Sequence, residues 1–179
     1  MELKVYITDL AAYNQSYLIG EWVSLPMDAE ELESKVQEIL KKGSDACGFD
    51  EVHEEYFITD YEFENEKLFE VSEYSNLTEL NEKCEECQDI DEDDQKKLSY
   101  LIDNVGFDFA DALEKYEEVT IYENTTLEEV VEEYIENTIN LDDLPAIIAQ
   151  NIDYKSIAYD FEISGEYERI DSDIYYFVN

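Results

Sequence analysis

Leu127-Glu-Glu-Val-Val-Glu-Glu-Tyr-Ile-Glu-Asn-Thr-Ile139 reads as an amphipathic helix of unusual charge. At 100° per residue, Leu127, Val130, Val131, Tyr134, Ile135 and Ile139 fall on one stripe, and Glu128, Glu129, Glu132, Glu133 and Glu136 fill the opposite face. No lysine interleaves the glutamates. Glu128/Glu132 and Glu132/Glu136 are like-charge neighbours four residues apart, each pair destabilising an isolated helix by about 0.2–0.5 kcal/mol. Glu129 and Glu133 repeat the spacing. An ordinary solvated helix face would accept lysine at half of these positions, so the choice of one sign calls for a reason. The same choice recurs at Glu62, Glu64 and Glu66, and at Asp108, Asp111, Glu114, Glu117 and Glu118.

The whole chain shares this bias. Its 179 residues carry 49 Asp plus Glu against 11 Lys plus Arg, a formal net charge of -38. Solubility asks a small domain for a magnitude of only about 2–8. Yet 44% of the residues are hydrophobic, with 15 Tyr and 8 Phe, which is too much apolar and aromatic material for a disordered acidic tail. The acidity is therefore expected on a folded surface. Duplex DNA carries one charge per roughly 1.7 Å of axis, so this charge matches that of about 65 Å of duplex. A compact globule of this length would be only about 40 Å across, and self-repulsion favours an elongated one.

Around the acidic helix, the sequence predicts an α+β chain of three small domains. Residues 1–61 read as an α/β unit. It has strands at Leu3–Thr8, Trp22–Leu25 and Glu55–Tyr61, and a helix opened by Asp28, with Leu32, Val36, Ile39 and Leu40 on one face and Gly43 as the stop. Residues 62–104 read as a mainly helical, more acidic unit, with Asn76 capping a helix to Cys87 and Asp91 leading into another. Residues 105–179 read as a second α/β unit. Here a helix over 105–116 precedes a strand at Glu117–Tyr122, the helix from Thr126, short helices near Asp142–Gln150 and Asp153–Asp160, and a strand at Ile174–Val178. In the helix over 105–116, Phe107 and Ala110 point away from the stripe of Val105, Phe109, Ala112, Leu113 and Tyr116. A homodimer contact and a second layer of the same core are equally good reasons for that second apolar face.

The chemistry-bearing residues exclude most other functions. Arg169 is the single arginine and the ten lysines are dispersed, so direct nucleic-acid binding is not expected, nor is binding to anionic membrane surfaces. With no signal-peptide pattern and no long apolar run, a cytoplasmic location is expected. His53 is the single histidine and stands in no nucleophile motif, the five glycines form no phosphate-binding loop, and with 49 acids any carboxylate pair arises by chance. No enzyme activity and no cofactor are expected. Asp89, Asp91 and Asp93 resemble the start of a calcium loop, but Asp94 stands where that loop needs glycine and Tyr100 where it needs glutamate. Cys84-Glu-Glu-Cys87 with Cys47 and His53 is a weak zinc pattern, since no second pair matches it; cysteines on a helix near Leu80 read better as small packing residues.

Two stretches resemble a known family. Val5-Tyr-Ile-Thr-Asp-Leu-Ala-Ala-Tyr-Asn14 with Gly20-Glu-Trp22 is similar to the opening of ArdA-type antirestriction proteins, which conjugative elements carry. Leu127–Tyr134, with the run from Leu144 to Phe161, is similar to that family's antirestriction motif and the segment after it. Where the family pattern continues with arginine after Ile157-Ala158, this chain has Tyr159. The resemblance implies a curved, elongated homodimer of three-domain subunits that imitates bent DNA. It also implies inhibition of type I restriction-modification enzymes by occupation of their DNA-binding groove, with residues 127–140 near the dimer region, which agrees with the separate reading of Phe107 and Ala110 as a dimer interface. A general acidic chaperone for basic proteins is the alternative function, and adaptation to high salt is a third reason for such a composition.

Overall fold

The computed structural model describes residues 2–47 and 52–178. The chain is α+β and divides into two compact units, Met1–Phe109 and Ala110–Asn179.

The first unit opens on an antiparallel sheet of order β2-β1-β3, formed by β1 (Leu3–Asp9), β2 (Gly20–Leu25) and β3 (Tyr56–Phe63). Alternation along β1 and β2 sends Leu3, Val5, Ile7, Val23 and Leu25 to a buried face. There they meet α2 (Ala29–Cys47), whose buried residues Leu32, Val36, Ile39 and Leu40 are the stripe expected from sequence. Asp28 opens this helix by accepting from the amides of Glu30 and Glu31. Gly43 does not stop it: the helix runs on to Cys47 with Gly43 buried inside it. A short helix that sequence reading missed, α1 (Leu10–Asn14), is capped by Asp9, whose Oδ1 accepts from the Ala12 amide at 2.7 Å.

Beyond β3 the chain has no regular element until Asn76 caps α3 (Leu77–Glu86), as expected. The intervening stretch still contributes buried Leu68, Phe69 and Val71. Asn81 of α3 is buried and grips the turn before α2, accepting from the Met27 amide at 2.9 Å and donating to its carbonyl at 2.8 Å. Asp91 caps α4 (Glu92–Tyr100), which passes into a π-helical turn at Leu101–Val105. Phe63 stacks on Phe69, Phe69 meets Phe109 edge-on, and the Lys83 ammonium lies 5.6 Å from each of the Phe69 and Phe109 rings.

The expected helix over 105–116 is corrected. Gly106, at φ +87, closes the π turn, and α5 spans only Phe109–Lys115 before a 3-10 turn at Tyr116–Glu118. Phe107 and Ala110 therefore do not share one helix face. Glu117 and Glu118 belong to that turn, and the strand expected from Glu117 is only β4 (Thr120–Tyr122).

In the second unit β4 joins β6 (Asp173–Tyr176) and β5 (Tyr167–Ile170) in an antiparallel sheet of order β4-β6-β5. Strand β5 was not anticipated, because Tyr-Glu-Arg-Ile is short and half polar. The helix quoted above is α6 (Leu127–Thr138), and it packs on α8 (Tyr154–Ser164). Val131, Ile135 and Ala158 form their common core, ringed by Leu127, Leu141, Ile152, Tyr154, Ile157 and Phe161. The small helix α7 (Ala146–Ala149) lies between them in sequence. Among the described residues no helix is long and apolar enough to cross a membrane.

Candidate functional site

The acidic face of α6 is set from its first residue. The Thr126 hydroxyl accepts from the Glu129 amide, and the Glu129 carboxylate accepts from the Thr126 amide at 2.8 Å and hydroxyl at 2.9 Å, a reciprocal capping box. Thr125 Oγ1 donates to the same carboxylate at 3.1 Å. Hydrogen bonds from Thr126, then Thr125, hold the Glu129 carboxyl below its ordinary pKa. Glu129 is thus fixed by its own helix end. Val130, Val131 and Ile135 are buried, which orients Glu128, Glu132, Glu133 and Glu136 outward.

Aromatic rings hold this helix to the rest of its unit. Tyr134 of α6 meets Phe161 of α8 edge-on at 5.5 Å, Phe161 stacks on Tyr167 of β5 at 4.8 Å, and Tyr167 lies 4.6 Å from Tyr176 of β6. Burial pushes the Tyr167 phenol up to about 12, with neighbouring tyrosines and Glu166 adding to it. Burial, then Glu133, raises that of Tyr122. Both phenols stay neutral at physiological pH, so the charge of this unit resides on carboxylates. Asp153 caps α8, and hydrogen bonds from Ser156 lower its pKa.

All thirteen acidic residues singled out in the sequence are exposed: Glu62, Glu64, Glu66, Asp108, Asp111, Glu114, Glu117, Glu118, Glu128, Glu129, Glu132, Glu133 and Glu136. Glu62 of β3 faces Lys4 of β1 at 3.5 Å. Among the described residues no lysine or arginine pairs with Glu128, Glu132, Glu133 or Glu136. The second unit has only three cations in its sequence, Lys115, Lys155 and Arg169, against nineteen acids, so little there could balance them. Phe107 is half-buried and Ala110 exposed. Among the large apolar side chains exposed in the second unit are Ile147 and Ile148 of α7 and Tyr159 and Ile163 of α8.

Cys84 and Cys87 are fully buried, and desolvation pushes their thiols up to about 12 and about 11. Both are therefore neutral thiols at physiological pH, packed in the interior. Among the described residues no three or more His, Cys, Asp or Glu side chains are grouped to hold a metal ion. Sequence reading missed the buried pair of Asp9 and His53, whose Oδ2 and Nδ1 lie 2.7 Å apart with side chains 0% and 2% exposed. Its sole trace in the sequence is the lone histidine. A cleft of about 780 Å³ in the second unit mixes Lys155 and Arg169 with Glu128, Asp160, Glu162 and Glu168, and in its lining the Ser156 hydroxyl donates to Asp153, the cap of α8, at 2.8 Å.

The family model described as Antirestriction protein (ArdA) matches residues 5–176, which is nearly the full chain. No curated protein matches it.

Proposed function

We propose that this chain, which belongs to the ArdA family of antirestriction proteins, inhibits type I restriction-modification enzymes by occupying the groove that otherwise holds DNA. The observation that carries the reading is the outer face of α6, where Glu128, Glu132, Glu133 and Glu136 stand exposed and, among the described residues, in no ion pair with a lysine or arginine, on a helix fixed at its cap and through its rings. A DNA-handling groove presents lysine and arginine to phosphates, and most such contacts read backbone charge rather than base identity. Carboxylates on a rigid frame can satisfy the same cations. The rigidity matters because side chains already ordered lose less entropy on binding. No bond is made or broken, so the action is inhibition by competition.

The chain is read as three modules, with divisions near residues 61 and 104, and a second copy would double the number of carboxylates offered. Ile147, Ile148 and Ile163 suit a self-complementary apolar contact better than Phe107 and Ala110 do. Steering by the net charge should make association fast and salt-sensitive. Affinity for a purified type I enzyme, measured across salt from about 50 to 200 mM, is expected to fall at least about a hundredfold, as for a ligand contacting several phosphate-binding cations. An affinity indifferent to salt would exclude a charge-based mimic.

A further inference from the structure

The open face of the first unit's sheet breaks the acidic pattern. A groove of about 590 Å³ lies there, lined by Tyr6, Tyr13, Leu18, Asp60, Tyr61 and Glu73 among others. Its rings are placed by their neighbours: Tyr6 meets Trp22 edge-on at 5.3 Å and donates its hydroxyl to the Gly20 carbonyl at 3.0 Å, while Tyr13 meets Phe57 at 5.1 Å. Gly20 is required for this. A Cβ on it would lie 2.6 Å from the Tyr6 ring and from the Ile7 carbonyl. Thr8 and Thr59 join hydroxyls at 2.8 Å within the groove. The segment carrying Glu73 is tied to the edge of β3, its carbonyl accepting from the Ile58 amide at 2.8 Å.

Despite these contacts the apolar surface stays open to solvent: Leu18 is 80% exposed, and Tyr13 and Trp22 are each 47% exposed. A chain with 49 acids could have covered this face with carboxylates and did not. Two carboxylates stand in the groove's lining, and among the described residues no lysine or arginine does. Aromatic faces with carboxylates beside them are the chemistry of a cation receptor. A guanidinium suits it best, because its plane stacks on rings while its edge donates to carboxylates, and it is less strongly hydrated than an ammonium.

We propose that this groove receives an arginine side chain of the restriction enzyme, a discrete anchor beside the distributed charge of the acidic surface. The proposal rests on the inhibitory reading given above. The anchor differs in kind from the rest of that surface: stacking survives salt that screens exposed charges, so the groove contributes affinity where steering has faded.

The test has two arms. In the first, the full chain is titrated with N-acetyl-arginine amide in about 150 mM salt and followed by amide and ring-proton NMR. Saturating shifts concentrated at Tyr6, Tyr13, Tyr61 and Glu73, weaker in Tyr61→Leu, are expected; small, uniform shifts over all acidic surfaces would overturn the proposal. In the second, inhibition by the double variant Asp60→Asn/Glu73→Gln is compared with that by the charge-matched Glu30→Gln/Glu33→Gln, whose sites are exposed on α2. About a tenfold loss is expected in the groove variant, and less than about threefold in the control. Equal losses would sink the anchor while leaving the mimic intact. Arginine binding in the groove by a wild-type protein that inhibits nothing would instead count against the mimic reading.

Discussion

Exchanging four glutamates of α6 together, as Glu128→Gln, Glu132→Gln, Glu133→Gln and Glu136→Gln, is expected to weaken inhibition about a hundredfold and to leave the fold at least as stable. Exposed ion pairs contribute roughly 0.2–1 kcal/mol each, so four lost at an interface amount to roughly 0.8–4 kcal/mol, and two decades in affinity, about 2.7 kcal/mol, fall within that range. The stability change has the opposite sign. Removing the like-charge pairs Glu128/Glu132 and Glu132/Glu136 relieves the helix by about 0.2–0.5 kcal/mol per pair. Glu129 is left in place because its carboxylate caps the helix. Weaker inhibition from a protein that melts no lower cannot be ascribed to unfolding. Glu132→Gln alone should change inhibition less than about fivefold, since no one carboxylate carries a distributed surface. Full inhibition by the fourfold variant would contradict the role given to this face.

The largest stability effect is expected at Gly43. A Cβ there would stand 2.1 Å from Asp9 Oδ2 and 3.0 Å from His53 Nδ1, so alanine cannot enter without displacing the buried pair. Neither partner can retreat cheaply. Asp9 also caps α1 through Ala12, and both side chains are shut away from solvent. Separating a buried, hydrogen-bonded pair costs about 3–5 kcal/mol. Alanine's helix propensity returns about 1 kcal/mol, which leaves Gly43→Ala destabilised by roughly 2–4 kcal/mol. Ser44→Ala, one position along the same helix, should change stability by less than about 0.5 kcal/mol. Urea denaturation distinguishes the two outcomes. If the Gly43 variant is the more stable, propensity governs this helix and the close approach of Asp9 and His53 has no energetic weight.

Gly43 also shows where sequence reading meets its limit. Gly43 after Lys41-Lys42 has the composition of a helix end, and local rules read it so. The glycine answers instead to residues 34 and 10 positions away, which bring a carboxylate and an imidazole against the backbone. Helix caps were legible, because Asp28, Asn76, Asp91 and Thr126 act within three residues of themselves. So was the centre of the α6 stripe, where Val130, Val131 and Ile135 are buried, whereas Tyr134 is half exposed and Ile139 stands exposed beyond the end of the helix. The helix expected over 105–116 failed because periodicity cannot see Gly106 at φ +87 ending one helix before Phe109 begins another. The sheet order, the ring ladder from Tyr134 to Tyr176 and the Asn81 clamp on Met27 all depend on tertiary contact and left no local signal. Charge was legible as a total and by helix face. The exposed aromatic groove was not, because Tyr6, Tyr13 and Tyr61 come from three separate elements.

The most direct test of the central claim is a titration of a purified type I restriction-modification enzyme with this protein, following cleavage of a plasmid and retention of a labelled duplex in parallel. Near-stoichiometric protein should abolish cleavage and release the duplex together, with added duplex restoring both in proportion to its concentration. Cleavage blocked while the duplex stays bound would place the inhibitor outside the DNA groove. Unimpaired cleavage at large excess of folded protein would contradict the account outright.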